Sequence, residues 1–80
     1  GIIFEALKNA KSLFETKNII EVKQFVENIF KKHPLFTLEY FEIANEKTLV
    51  SSNNKIKGER YRAFIAVFIN NIRLIDTISF

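Results

Sequence analysis

The sequence predicts an α+β domain in which two amino-terminal helices pack on a small three-stranded antiparallel sheet that ends in a β-hairpin. Two segments near the amino terminus repeat apolar residues at helical spacing. The second half instead holds runs rich in aromatic and β-branched residues, which are typical of strands. A chain of 80 residues can bury one core. We therefore expect residues 1–80 to form a single domain without internal repeats.

The two predicted helices are defined by apolar stripes and by signals at their ends. The first is expected over about residues 2–15, where apolar side chains recur every three or four positions. A second stripe follows Asn18, a favoured N-cap residue, and Glu21 completes a capping-box pattern three positions later. Pro34 disfavours helical geometry at the residue before it, so the second helix should end there.

The first strand is predicted in LFTLEYFEIAN, residues 35–45, which is rich in aromatic and apolar side chains. Regular alternation places Leu38 and Tyr40 on one side of this strand. It places Phe41 and Ile43 on the other side. Both faces of the strand should therefore be apolar.

A β-hairpin is predicted in RAFIAVFINNIRLIDTI, residues 62–78, with its turn at Asn70 and Asn71. Both residues tolerate the positive φ angles that a two-residue type I′ turn requires. The resulting register gives one almost wholly aliphatic face, which should meet the helices and which we call the core face. Asp76 falls on this face opposite Ile65, so we expect its carboxylate to be hydrogen-bonded or to lie at the rim.

The opposite face of the sheet, here called the second face, is also apolar. It carries Phe64 and Phe68, and leaving either ring in water forgoes about 1.5 to 3 kcal/mol. Two interpretations stay equally open: the polar connection over residues 45–59 folds over this face, or another domain or partner docks on it. Arg73 lies across from Phe68, and we expect it to stack on that ring rather than reach a phosphate or a neighbouring domain. Phe64, Phe68 and Arg73 are the candidate domain-interface residues.

No catalytic or metal site is predicted. His33 is the only histidine, and its place at a helix end favours a role as a helix-end cation over that of a general base. The chain has no cysteine, and regular alternation puts Glu39 and Glu42 on opposite sides of their strand. Gly1 and Gly58 are the only glycines, so no phosphate-binding loop is expected.

The charge balance is too mild to name a partner. Twelve Lys and Arg residues stand against nine Asp and Glu residues, dispersed along the chain, for a net charge of +3. The string RAFIAVF superficially resembles an RNA-recognition strand, but Ala63 and Ala66 stand where that motif has a glycine and an aromatic residue. Nucleic-acid binding is therefore not expected, and a free-standing protein-interaction or RNA-binding module is kept as the alternative function. With no bilayer-spanning run, no leader peptide and no cysteine, we expect a cytoplasmic protein without membrane contact.

Two stretches together carry a resemblance to a known family. LEYFEIANEKTL, residues 38–49, followed by the hairpin stretch of residues 62–78, resembles the carboxy-terminal segment of pantothenate synthetases, the pantoate:β-alanine ligases. In that family a Leu-x-Tyr-x-Glu-Ile strand, a cluster ending in Thr-Leu and a hairpin with Arg-Leu-Ile-Asp occur in this order. The two helices are also similar, so the resemblance spans nearly the whole chain. The main departures are the pair Asn70 and Asn71, where the family's turn usually bears a glycine, and Phe64 and Phe68, in a strand that tolerates many apolar residues.

The resemblance implies the carboxy-terminal lid domain of an ATP-dependent ligase. Enzymes of this family adenylate pantoate with ATP and Mg²⁺, and the amine of β-alanine then displaces AMP to give pantothenate. Their nucleotide-binding domain, with a His-x-Gly-His signature and a Ser-Ser-Arg loop, precedes the matching segment. No catalytic, cofactor-binding or metal-binding residue of the family therefore maps onto this chain. The expected partner is the amino-terminal nucleotide-binding domain of the same polypeptide, in a homodimeric parent enzyme, and the isolated chain is expected to be inactive.

Overall fold

The computed structural model describes all 80 residues and has the predicted α+β architecture. Helices α1 and α2 span Ile2–Phe14 and Ile19–Lys31. Strands β1, β2 and β3 span Phe36–Asn45, Tyr61–Ile69 and Ile72–Ser79. The strands lie in the order β1-β2-β3 and every neighbouring pair is antiparallel. Neither helix has the length and apolar character that crossing a membrane requires.

Helix α2 begins with the predicted capping box. The Asn18 side-chain oxygen accepts a hydrogen bond from the Glu21 backbone N–H at 2.8 Å, and the Glu21 carboxylate accepts one from the Asn18 backbone N–H at 3.4 Å. Helix α1 has Gly1 at its N-cap and no side-chain cap. Local chemistry therefore fixes the start of α2.

The core lies between the two helices and the core face of the sheet. Its thirteen buried residues are all aliphatic or aromatic, and β2 contributes every second residue. These residues are Ala6, Leu7, Ala10, Ile19, Val22, Val26, Phe30, Phe41, Ile43, Tyr61, Ala63, Ile65 and Val67. No buried side-chain nitrogen or oxygen lacks a hydrogen-bond partner. Both helices thus direct their apolar stripes at one side of the sheet.

Strand β1 does not alternate regularly. Its pairing with β2 shifts between Leu38 and Tyr40, so that Glu39 is an extra residue in a β-bulge. The bulge reverses the phase of the strand, and Leu38 packs with Phe41 against the core. The prediction that grouped Leu38 with Tyr40 is therefore wrong, because it assumed an unbroken period of two.

The β2-β3 hairpin has the predicted register, but its turn is of a different type. Asn70 has a positive φ of 55°, whereas Asn71 does not have a positive φ. A type I′ turn needs positive φ at both central residues, so that prediction is wrong. Positive φ at the first central residue alone is the pattern of a type II′ turn. Asp76 is exposed, as expected of a rim position, and accepts a hydrogen bond from the Thr77 backbone N–H at 2.8 Å.

The connection between β1 and β2 runs along the sheet edge and does not fold over the second face. Ser51 forms an isolated antiparallel bridge with Ala44 on the outer edge of β1. Further along, the Lys55 ammonium donates to the Phe14 carbonyl at 2.5 Å and lies 4.6 Å from the centre of the Phe14 ring. The connection therefore protects the free edge of β1 and closes the end of α1. Of the two interpretations left open for the second face, covering by this connection does not hold.

Candidate domain interface

The second face of the sheet consists of four rows of side chains, with one residue from each strand in every row. Antiparallel pairing fixes these rows, because directly opposed residues point to the same side of a sheet. From the hairpin end, the rows are Thr37, Phe68, Arg73; Tyr40, Ala66, Ile75; Glu42, Phe64, Thr77; and Ala44, Arg62, Ser79. The two predicted phenylalanines thus lie in the first and third rows, on either side of Ala66.

The centre of the second face is apolar and has no helix over it. Phe64 and Phe68 are only partly buried, and Ile75 is 60% exposed. Ala66 is fully buried, yet it does not belong to the core cluster beneath the helices. Larger neighbours shield a small side chain from solvent, so the burial of Ala66 does not require another element on top of the sheet. The structure therefore places the predicted phenylalanines on the face that the helices leave free.

Arg73 pairs with Glu39 and does not stack on Phe68. The Arg73 Nε donates to the Glu39 carboxylate at 2.7 Å. This hydrogen bond and the charge of Glu39 raise the pKa of Arg73. The predicted stacking is wrong because the bulge carries Glu39 within reach of the guanidinium. For the same reason Glu39 and Glu42 share the second face, against the prediction that they lie on opposite sides.

Charged and polar groups surround the apolar centre. At the end far from the hairpin, Arg62 donates to the Thr77 hydroxyl at 3.1 Å and lies 3.9 Å from the Glu46 carboxylate. Along the edge of β1, the Lys23 ammonium of α2 lies 3.4 Å from the Glu42 carboxylate. An apolar centre inside a polar rim is the usual anatomy of a protein interface.

Sequence reasoning missed two members of this rim, Glu39 and Glu46. Glu46 is the residue by which the connection reaches the second face, through Arg62 and a 3.4 Å hydrogen bond from Ser79. Its role depends on the path of an irregular segment, for which the sequence offers no periodic signal. Glu39 could have been found, because the apolar phase changes between Leu38 and Phe41, and a spacing of three within a strand indicates a bulge.

The remaining titratable side chains include the possible metal ligands and the single histidine. No three of the His, Asp and Glu side chains lie close enough together to hold a metal ion. His33 follows α2, and its ring meets the edge of Phe36 with the ring centres 6.4 Å apart. The second face, with its exposed apolar centre, is the candidate domain interface.

Comparisons with known sequences and structures all indicate the same family over nearly the whole chain. A model of the pantoate-beta-alanine ligase family matches residues 1–79. The pantothenate synthetase of Flavobacterium psychrophilum is 51% identical over 79 residues, which are 99% of this chain and 28% of that protein. The pantothenate synthetase of Christiangramia forsetii is 49% identical over the same shares. The crystal structure of pantothenate synthetase from Thermus thermophilus aligns with a TM-score of 0.76 at 22% identity, over 96% of this chain and 28% of that one. The chain thus spans less than a third of the length of these relatives.

Proposed function

Because this chain belongs to the pantoate-beta-alanine ligase family, we propose that it is the carboxy-terminal lid domain of an enzyme that joins pantoate to β-alanine. The proposal is carried by a match that covers 99% of this chain but only 28% of a pantothenate synthetase. The remaining polypeptide would supply the nucleotide-binding domain, with ATP and Mg²⁺, in a cytoplasmic homodimer. No metal ligand or catalytic group of that site is assigned to this chain.

The reaction proposed for the parent enzyme has two steps. The pantoate carboxylate attacks the α-phosphorus of ATP, which forms pantoyl adenylate and releases pyrophosphate. The amine of β-alanine then attacks the acyl carbon, which forms the amide bond of pantothenate and releases AMP. A mixed anhydride of this kind also reacts with water, which returns pantoate and AMP. The second step therefore benefits from a domain that excludes water from the adenylate.

Within this reaction the chain would act as a closing element. Its second face supports that role, since Phe64, Phe68 and Ile75 form an apolar centre that no element of the chain covers. Arg73 stands at the edge of this centre with its guanidinium oriented by Glu39. Docking of the second face on the nucleotide-binding domain would bury the rings and keep the charged groups at the rim, where they remain solvated.

The lid role is tested in the full-length enzyme by the double substitution Phe64→Ala and Phe68→Ala. We expect the variant to release more AMP per pantothenate formed, because a lid that closes poorly admits water to the adenylate. The ratio of AMP to pantothenate, measured by chromatography, should rise at least about threefold, whereas adenylate formation itself should change less. The ratio thus distinguishes a defect in lid closure from a defect in adenylate formation.

The matched control is Ile20→Ala, which shortens an apolar side chain of α2 that is 52% exposed and lies away from the second face. Its AMP to pantothenate ratio should equal that of the unmodified enzyme. An unchanged ratio in the double variant, together with a normal melting temperature, would show that the second face takes no part in closure.

A further inference from the structure

The outer edge of β3 is an open edge of the sheet. The strand order β1-β2-β3 leaves no strand of this chain beside β3, whereas Ser51 of the connection bridges the outer edge of β1. Ile72, Leu74 and Ile75 of β3 are exposed. An open strand edge with apolar side chains is a template on which a second copy of the same strand can pair.

Alternate residues of β3 direct their backbone N–H and C=O groups at this open edge. The Phe80 N–H donates to the Tyr61 carbonyl at 2.9 Å, which places Phe80 in a hydrogen-bonded pair with β2. Hydrogen-bonded and non-hydrogen-bonded pairs alternate along an antiparallel ladder, so the backbone groups of Arg73, Ile75 and Thr77 point away from β2. A strand that joined the open edge would bond to these three residues.

The Asp76 carboxylate occupies one of the backbone groups at the open edge. It accepts a hydrogen bond from the Thr77 backbone N–H at 2.8 Å, and both residues are exposed. A second strand that paired with residues 73–77 would need the same N–H. Pairing would therefore displace the carboxylate and leave it without its hydrogen-bond donor.

We propose that Asp76 prevents two copies of this chain from joining their sheets through β3. A symmetric antiparallel pair centred on Ile75 would match residues 72–78 of both copies. In that register each Asp76 would lie opposite Leu74 of the other copy, because the two residues share the core face. The carboxylate would then lose water to an apolar neighbour.

Shifted registers give no better solution for Asp76. A shift of two residues in one direction sets Asp76 opposite Ile72 of the other copy, so the carboxylate again meets an apolar side chain. A shift of two residues in the other direction sets the two Asp76 carboxylates opposite each other, and like charges in that position repel. Each register that pairs most of β3 is therefore disfavoured by this one side chain.

No other side chain of β3 opposes pairing in this way. Asp76 is the only acidic residue of the strand. In the register centred on Ile75, Arg73 lies opposite Thr77 of the other copy, and no two like charges meet. Removal of the Asp76 carboxylate should therefore be sufficient to let the edges pair, and this inference does not depend on the proposed ligase role.

The proposal is tested by disulfide formation in the 80-residue chain, which has no cysteine of its own. The substitution Ile75→Cys gives each copy one thiol, and in the centred register the two Cα atoms would lie about 5.5 Å apart, within the range of a disulfide. Oxidised glutathione should leave this variant monomeric. Adding Asp76→Thr or Asp76→Ser should raise the yield of covalent dimer at least about tenfold, the factor that corresponds to one unpaired buried polar group.

Two controls separate edge pairing from general association. Glu27→Gln removes an exposed carboxylate from α2, and combined with Ile75→Cys it should leave the yield of covalent dimer unchanged. Ile20→Cys places the thiol on α2 at a residue that is 52% exposed, and combined with Asp76→Thr it should give no increase. Circular dichroism shows whether each variant is folded.

Four results would overturn the proposal. An equal yield of covalent dimer with Asp76 in place means that the carboxylate does not keep the copies apart. No increase in folded Asp76→Thr and Asp76→Ser variants means that another feature protects the edge. An equal increase in either control means that the association does not depend on the edge of β3. Failure of both Asp76 variants to fold means that Asp76 is needed for the strand itself.

Discussion

At the scale of single residues, Leu49 adopts a backbone conformation that leucine rarely takes. Its φ is 60°, and its N–H donates to the Asn45 carbonyl at 2.7 Å. The Asn45 side chain accepts hydrogen bonds from the backbone N–H groups of Lys47 and Thr48 at 2.9 and 3.1 Å. The segment is thus one helical turn closed by a left-handed residue, a position that usually carries glycine. A side chain at this position costs about 1 kcal/mol.

The substitution Leu49→Gly should therefore stabilise the domain by about 0.5 kcal/mol. The Leu49 side chain is 63% exposed, so its removal forfeits little burial while the backbone strain is relieved. Urea unfolding measures the change. The neighbouring substitution Val50→Gly is the control, since Val50 is 65% exposed but has no positive φ. Val50→Gly should lower the free energy of unfolding by about 0.5 to 1 kcal/mol. A change in the same direction for both substitutions would contradict the strain assigned to Leu49.

At the scale of elements, the sequence predicted the helices and the hairpin register because local rules determine them. The Asn18 and Glu21 capping box acts over three residues, and the order of β2 and β3 follows from a two-residue turn. The sequence predicted strand β1 but not the faces of all its side chains. A bulge leaves the composition of a strand unchanged, but it reverses which face the side chains beyond it point to. The turn type was missed since asparagine tolerates positive φ but does not demand it. The connection was missed because its path depends on tertiary contacts such as that of Lys55 with Phe14.

The bulge leads to a prediction about deletions in β1. Glu39 is the extra residue, and Leu38 and Tyr40 already oppose neighbouring residues of β2. Deleting Glu39 should therefore restore a regular ladder and leave every side chain on its present face. We expect a cooperative unfolding transition with a loss of about 1 kcal/mol, since only the local bulge contacts and the pair with Arg73 disappear.

Deletion of Glu42 is the matched control for that experiment. It removes the same residue type from the same strand, but it shifts all preceding residues of β1 by one position. Leu38 and Phe41 would then leave the core, and the chain should not fold. Circular dichroism and thermal unfolding compare the two deletions. If both variants unfold in the same way, the assignment of Glu39 as the extra residue of β1 is wrong.

At the scale of the whole molecule, the sequence indicates more apolar surface than two helices can cover. The structure shows where that uncovered surface lies. One part is the second face around Phe64 and Phe68, and the other is a groove between the first turn of α1 and β3, lined by Phe4 and Leu74. Composition alone predicts such an excess, but its division into two surfaces depends on where the helices cross the sheet. Helix α2 packs on β1 and α1 contacts β3, yet Ile72, Leu74 and Ile75 of β3 stay exposed.

The proposed lid role implies that this chain should not work alone. We predict that residues 1–80, produced by themselves, form no pantothenate from pantoate, β-alanine, ATP and Mg²⁺, whereas the full-length enzyme does. The physical reason is that closure over an adenylate has no effect where nothing makes the adenylate. The assay requires a host strain without its own ligase, because a trace of that enzyme would imitate activity. Pantothenate that forms in proportion to the amount of the isolated chain would place the chemistry within these residues and remove the basis for calling them a lid.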